Sequence, residues 1–415
     1  MESKFYMQHK QGIKTSGKKP VMMIFVLLTV YIQWQIIALQ QARSSEFSEG
    51  RGKMVANCIQ PFSNPQLNSL LQANLSAKGL LYWKLEYNPE GIIGTPSSLI
   101  LMNDAQAILD YNYVFFAVDM LNKKVLGFRA KSLNTFIAIR NSQEIFFYPV
   151  HRLYQLNFNS FMDESDDSYF TPGLGQYSRL AVLIPYIDYF IAGIQKLGNP
   201  WNQQPSFLLL KKKYMEIDTI WELDRPGSVV LPPVSMDGKS VIAQEGLISI
   251  VNSDGQIQNE VKVDFIPLCC SIGIDNLIYM VCRTGLKYMV KVMDFDGNMR
   301  WETETSITQP NQPPIISRES TVFIVGNSKV DAMSNGQKLW EFQLTGSDSS
   351  AQLASVSQDS MLLVSDGNRI ICLNKTGELV WKFSIAKGGV FKTQPVLDSV
   401  GKVFVATDKS IFALK

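Results

Sequence analysis

Three observations predict an all-β fold for this 415-residue chain, a ring of four-stranded antiparallel blades. The first is a repeat. Asp296-Gly297 precedes Trp301, Asn335-Gly336 precedes Trp340, and Thr376-Gly377 precedes Trp381, each Trp four residues after its Gly. Asp254-Gly255 is a fourth copy with Asn259 in the tryptophan's place, and the four glycines stand 42, 39 and 41 residues apart. The second is pattern: the intervening runs alternate apolar and polar with period two and are broken by turn residues, which excludes stacked helices. The third is length, since about 40 residues make one four-stranded propeller blade.

Residues 301–340 show the unit. Pro314–Ser317 reads as a short first strand and Ser320–Val325, rich in β-branched and aromatic residues, as the second. Asn327-Ser328 turns into a third strand, Lys329–Met333. Asn335-Gly336 is a hairpin signal because both residues tolerate positive φ, and Gln337–Phe342 is the fourth strand, carrying Trp340. The next copy repeats the order through the Asp366-Gly367 and Thr376-Gly377 turns.

Earlier residues follow the plan more loosely. Ala117-Val-Asp119 begins a third strand and turn, and Trp221 closes a fourth strand, Thr219–Leu223. Residues 128–217 leave room for two blades plus an insertion, with Asp163–Asp167 and Leu197–Pro205 as loops. Lys211-Lys-Lys213 reads as a charged edge that blocks aberrant strand pairing, the alternative being a patch that meets anionic lipid or a partner. Gly79 stands four residues before Trp83 with no blade ahead of it, while the last repeat stops after its third strand. Pairing 80–86 with 410–415 completes one blade and leaves it no open edge. Counted from Gly79, the ring has eight blades, or seven if 128–217 makes only one.

The N-terminus carries a membrane signal. Val21–Leu39 contains no charged residue in 19 positions, close to the length that spans a bilayer. Five lysines precede it against one Glu, so the segment should leave residues 1–20 in the cytoplasm and export the remainder. A transmembrane or signal-anchor helix at 21–39 is expected to stay uncleaved, because Gln40, at the third position back from a cut after Ala42, is not the small residue such a site needs. The first cysteine is Cys58, so no lipidation motif follows the apolar run. A linker at 40–78, long enough to hold a short helix, then leads to a propeller at 79–415. Asn74-Leu-Ser76 and Asn374-Lys-Thr376 fit the glycosylation pattern, which matters only in a eukaryotic secretory pathway.

Charge and histidine content narrow the function. The net charge is +2, and residues 41 onward carry 34 basic and 36 acidic side chains, so no nucleic-acid footprint exists. The two histidines are His9 and His151. Three-His zinc sites and HExxH chemistry are thereby excluded, and any Ser-His or Cys-His mechanism would need His151, which reads as a strand-edge residue. Five cysteines without a CxxC pattern argue against zinc or a disulfide framework.

The run Asn374-Lys-Thr-Gly-Glu-Leu-Val-Trp381, with Ala117-Val-Asp119, resembles the tryptophan-docking repeat of quinoprotein-type (PQQ-like) β-propellers. The likeness is specific across about 217–415. It implies an eight-bladed ring in which each Trp packs between neighbouring blades. Trp83, Trp221, Trp301, Trp340 and Trp381 match that role, with Gly79, Gly255, Gly297, Gly336 and Gly377 as the turn glycines. Gly127 and Asn259 stand where a Trp is expected, which implies looser junctions there.

Two functional classes share this family: PQQ-dependent dehydrogenases and non-catalytic scaffolds such as the propeller lipoprotein of the outer-membrane β-barrel assembly machine. Adjacent cysteines cover the quinone in several of the dehydrogenases, which makes Cys269-Cys270 the cofactor candidate. Alignment with Gln312–Ser317 instead sets them on an innermost first strand, where Cys packs as a small hydrophobe. A quinone site needs Ca²⁺ ligands and an Asp base, whereas Asp237, Asp254, Asp296 and Asp366 sit at turns, where Asx bonding explains them. The expectation is a monomeric, cofactor-free, membrane-tethered extracytoplasmic scaffold for another envelope or membrane protein, with Tyr169–Tyr177 in its contact surface. A PQQ dehydrogenase with Ca²⁺ and a carbohydrate-binding propeller are the alternatives.

Overall fold

The computed structural model describes residues 71–415 apart from 72, 88–94, 112–113, 131–137, 141–143, 148–152, 158–167, 171–177, 187–188, 197–204, 214–215, 225–234, 236, 346–351 and 387; between 130 and 224 it describes strand backbones. The basic tail, the 21–39 segment, His151, the Asp163–Asp167 run and most of Tyr169–Tyr177 and Leu197–Pro205 lie outside the described residues. No helix of the described residues is long and apolar enough to cross a membrane.

The described strands form eight antiparallel sheets, seven of four strands and one of three. In chain order we number them by residues: first 96–130, second 138–170, third 178–224, fourth 240–262, fifth 266–305, sixth 315–343 and seventh 353–384. The eighth joins three C-terminal strands, 396–414, to Leu81–Glu86. The 128–217 stretch thus contributes to the second and third sheets. In the fourth, Ser235–Lys239 makes the turn that joins first to second strands elsewhere, so Ser240–Gln244 holds a second-strand position.

Sequence within a sheet follows depth. Second and third strands such as Val322–Val325 and Arg369–Leu373 are buried on both faces, because each sheet is sandwiched between two others. Fourth strands such as Gln337–Gln343 alternate exposed and half-buried residues. The core is therefore a series of seams. One apolar cluster joins the fourth, fifth and sixth sheets, another the sixth and seventh, another the seventh and eighth, and another the eighth and first.

Lys211–Lys213 departs from the edge reading. Pro205–Lys213 is a third strand with a neighbour on each side, its register setting Lys211 opposite Tyr189 and Asp218, and Lys213 opposite Glu216. Opposite-charge positions across the outer pair let lysines sit in an interior strand.

Several of the hairpins joining first to second and third to fourth strands share one device. At third-to-fourth turns, Asn252 Oδ1 accepts the amides of Asp254 and Gln256, Asp294 those of Asp296 and Asn298, and Asn374 those of Thr376 and Glu378. Asp398 does the same for Val400 and Lys402 at a first-to-second turn, where Ser317 and Ser357 use hydroxyls on Thr321 and Met361. The Asx acceptors at 252 and 294 thus stand two residues before the Asp254 and Asp296 singled out in the sequence. Desolvation pushes the Asp294 carboxyl up, but the Asn298 amide and side chain, Arg300 and the Asp296 amide outweigh it and hold the group below its ordinary value.

Leu81–Glu86 pairs with Ser410–Leu414 in the register Leu81↔Leu414 to Glu86↔Ser410. Leu80 and Lys415 exchange backbone bonds of 3.0 and 2.8 Å beyond it. Residues 71–78 precede this strand as an extended strap, not a helix. Leu71 N–H donates to Val356 O at 2.8 Å, and Ala73 O accepts from Gln358. Leu75 N–H donates to Asp359, and Ser76 bonds Gly401 O and Val400 O. The strap so covers the first-to-second turns of the seventh and eighth sheets, with Leu71 and Ala77 buried in their shared cluster. Leu71→Ala removes that anchor, and a loss of about 2–3 kcal/mol in urea unfolding of the chain is expected.

Candidate functional site

The Gly–Trp spacing acquires its meaning from a bulge. In the fifth sheet Val292 faces Trp301 but Met293 faces Met299, so Arg300 is skipped. Leu339 is skipped in the sixth, Val380 in the seventh and Tyr82 in the eighth. The same irregularity precedes Trp221 in the third sheet, and it persists at Asn259 and Gly127, where no Trp follows. A bulge bends the strand and re-aims the next side chain, here toward the adjoining sheet.

Trp301, Trp340 and Trp381 each land on the turn glycine of the following sheet. A methyl added at Gly377 would lie 2.6 Å from the Trp340 ring, at Gly79 2.6 Å from the Trp381 ring, and at Gly336 3.4 Å from Trp301 Cβ. These glycines also have φ of +83°, +76° and +78°, which disfavours a side chain independently. Trp340 Nε1–H donates to Lys375 O at 2.9 Å, beside Gly377. At the fourth-to-fifth seam, Asn259 Nδ2–H donates to Asp296 O at 2.8 Å, while Val261 fills the space over Gly297. A smaller residue thus retains the polar half of the contact and a neighbour supplies the apolar half. In the first sheet, Lys123 holds the glycine's place at φ +54°.

Cys269 and Cys270 lie on Ile266–Ile272, the first strand of the fifth sheet, and both are buried in the seam cluster. Cys269 Sγ–H reaches Gln312 O of the sixth sheet at 3.7 Å. Burial alone pushes the Cys270 thiol far above its ordinary value. Desolvation is also the largest cause that takes Cys282 and Cys372 up to about 12. Such thiols are weak nucleophiles.

Polar side chains of the inner strands bind the neighbouring sheet's backbone. Ser271 Oγ–H donates to Pro314 O, Ser355 Oγ–H to Pro395 O, and Asn311 Nδ2–H to Gln352 O. Gln312 donates to Ala354 O at 2.8 Å and accepts from Ala354 N–H at 2.7 Å, like an added strand residue. Among the described residues, no three His, Cys, Asp or Glu side chains converge as metal ligands. Cys269 and Cys270, buried at the seam between the fifth and sixth sheets, are not placed to cover a quinone ring.

The opposite face, formed by second-to-third turns and sheet-to-sheet connections, carries a groove of 540 Å³ at the seventh–eighth seam. Gly388 and Gly389 form one wall, and Lys84, Glu86, Lys409 and Phe412 the other. Lys84 Nζ donates to Glu86 at 2.5 Å. Tyr87 fixes the floor: its hydroxyl donates to Thr407 O at 2.5 Å and accepts from Tyr111, whose hydroxyl also reaches Asp408 O. Desolvation, the largest cause in both, raises Tyr87 far above its ordinary value and Tyr111 to about 12, so both stay protonated donors. Neither residue belongs to the Gly–Trp repeat, and no spacing in the sequence marks them.

These features define a class by fold, a β-propeller whose sheets dock through a Gly–Trp contact. The family described as outer membrane protein assembly factor BamB matches residues 326–415. BamB from Moraxella catarrhalis superposes with a TM-score of 0.58 at 11% identity, over 81% of this chain and 99% of that one. A europium-containing methanol dehydrogenase gives a TM-score of 0.55 at 10% identity, over 84% of this chain and 89% of that one. At such identities the two structures share the fold alone with this chain. No curated protein matches it.

Gly377→Ala is expected to cost about 2–4 kcal/mol, because left-handed strain and overlap with Trp340 combine. Gly336→Ala, with room for the methyl, is expected to cost about 1–2 kcal/mol. Chemical denaturation of both variants tests the ordering. Thiol labelling at pH 8 should leave Cys269, Cys270, Cys282 and Cys372 unmodified in the native chain and modify them in urea.

Proposed function

We propose that the eight sheets close into one monomeric eight-bladed ring, held outside the cytoplasm by a membrane segment at 21–39. The ring serves without a cofactor as a scaffold for another envelope protein, and the groove at the seventh–eighth seam takes part of that partner. The observation that carries the reading is where the polar side chains go. Ser271, Asn311, Gln312 and Ser355, on or beside the innermost strands, bind neighbouring backbone. The Asx and Ser acceptors bind their own turns. What this leaves for function is shape, a rigid ring with broad faces and a groove. The family match over 326–415, to a protein described as an assembly factor of the outer membrane, points the same way.

A photo-reactive residue at Lys409, beside the groove, is expected to crosslink one dominant envelope protein in intact cells. The same probe at Asp254, on the other face, is expected to give none. Equal adducts at both positions, or none at 409, would overturn the scaffold reading. Stoichiometric quinone uptake on PQQ titration would replace it with the dehydrogenase.

A further inference from the structure

The bulge that turns each Trp inward leaves two preceding side chains of the fourth strand outside. In the fourth, fifth and sixth sheets these pairs are Ile257 and Gln258, Met299 and Arg300, and Lys338 and Leu339, one apolar residue each. In the seventh and eighth both are apolar, Leu379 with Val380 and Leu81 with Tyr82, each 46–51% exposed. Leu80, 60% exposed, and Val400, 58% exposed, extend the same area.

Contacts join these residues into one patch. Gly79 packs on Trp381, which follows Val380. Ser76 bonds Val400 O. Tyr82 has Lys402 Nζ and Lys415 Nζ each 5.2 Å from its ring centre. Lys78 and Lys382 are exposed at the margin. Of the acids nearby, Asp398 pairs with Lys402, while Glu378 bonds Asn374 and Thr376, and Asp104 bonds Ser399, all neutral donors.

The strap that enters this patch ends at Leu71, and 31 residues, 40–70, separate it from the charge-free Val21–Leu39 run. That length reaches about 100 Å when extended, so it permits many orientations and selects none. It does keep the ring near the bilayer at an effective concentration of about millimolar. A patch too weak to bind lipid from solution then suffices to set orientation. Aliphatic and tyrosine side chains rimmed by lysines suit the headgroup layer of an anionic bilayer.

We propose that the rim formed by Leu80–Tyr82, Leu379, Val380 and Val400 rests against an anionic membrane surface and aims the groove face away from it. The inference rests on the membrane-tethered reading above. It is tested with the full chain, Cys58→Ser, reconstituted into phosphatidylcholine vesicles with and without phosphatidylglycerol. An environment-sensitive label is placed at Val380→Cys or at Leu286→Cys, the latter on the groove face. Lipids carrying a quencher at the headgroup boundary are expected to quench the label at 380 at least threefold more than that at 286. The ratio should fall without phosphatidylglycerol, or with Tyr82→Glu added. Equal quenching at the two sites, in a chain that resists alkaline extraction, overturns the orientation alone. A chain that alkaline buffer washes off overturns the tether and the orientation with it.

Discussion

The contact on which the ring depends is a tryptophan ring laid over a left-handed glycine of the next sheet. Gly377 admits no Cβ, because its φ is positive and the Trp340 ring already occupies that space. The bulge one residue before the Trp supplies the remaining condition, since without it the side chain would follow the strand's ordinary alternation. Three local requirements, a turn, a bulge and a large planar side chain, thus convert a flat four-stranded sheet into a unit that specifies its neighbour. The same contact brings the two ends of the described chain together. Trp381, in the last of the Gly–Trp repeats, lands on Gly79, near the start of the described chain.

Closure through distant residues has a consequence for stability. A seam between sequential sheets forms from residues about 40 apart, whereas completing the eighth sheet joins residues some 300 apart and has a higher loop-closure cost. The fold concentrates reinforcement there. The strand at 81–86 pairs with 410–414, the strap at 71–78 ties two turns beneath it, and Tyr87 and Tyr111 hold the turn above. Three separate sets of contacts, within the eighth sheet and on both sides of it, match the position where the ring would otherwise open.

The Gly–Trp period was legible in the sequence because its chemistry admits few substitutes: positive φ without strain calls for Gly, and a broad flat filler calls for Trp. The bulge was not, since residues as unlike as Arg300, Leu339 and Tyr82 occupy the skipped position. Asn259 shows why a departure from the pattern need not loosen a junction, for its amide reproduces the indole hydrogen bond and Val261 the bulk. The lysine run at 211–213 misled because its partners, Glu216 and Asp218, become visible only once the register is known. The groove left no signature at all, being made of a connection, a turn and a closing strand from three parts of the chain.

The outer rim ties architecture to function. In the fourth to eighth sheets the bulged fourth strand leaves two side chains outside, whatever their identity, because the residue that follows is turned in. Their chemistry is therefore free of the packing that constrains the rest of the unit, and it differs from sheet to sheet: Gln258, Arg300 and Lys338 keep three pairs half polar, while Leu379-Val380 and Leu81-Tyr82 do not. Burying that surface would contribute about 25 cal/mol per Å² of apolar area, and leaving it in water forgoes that gain. An apolar pair on two adjoining sheets, at the seam where the strap enters, is a choice the fold does not impose. Its explanation has to come from what lies outside the ring.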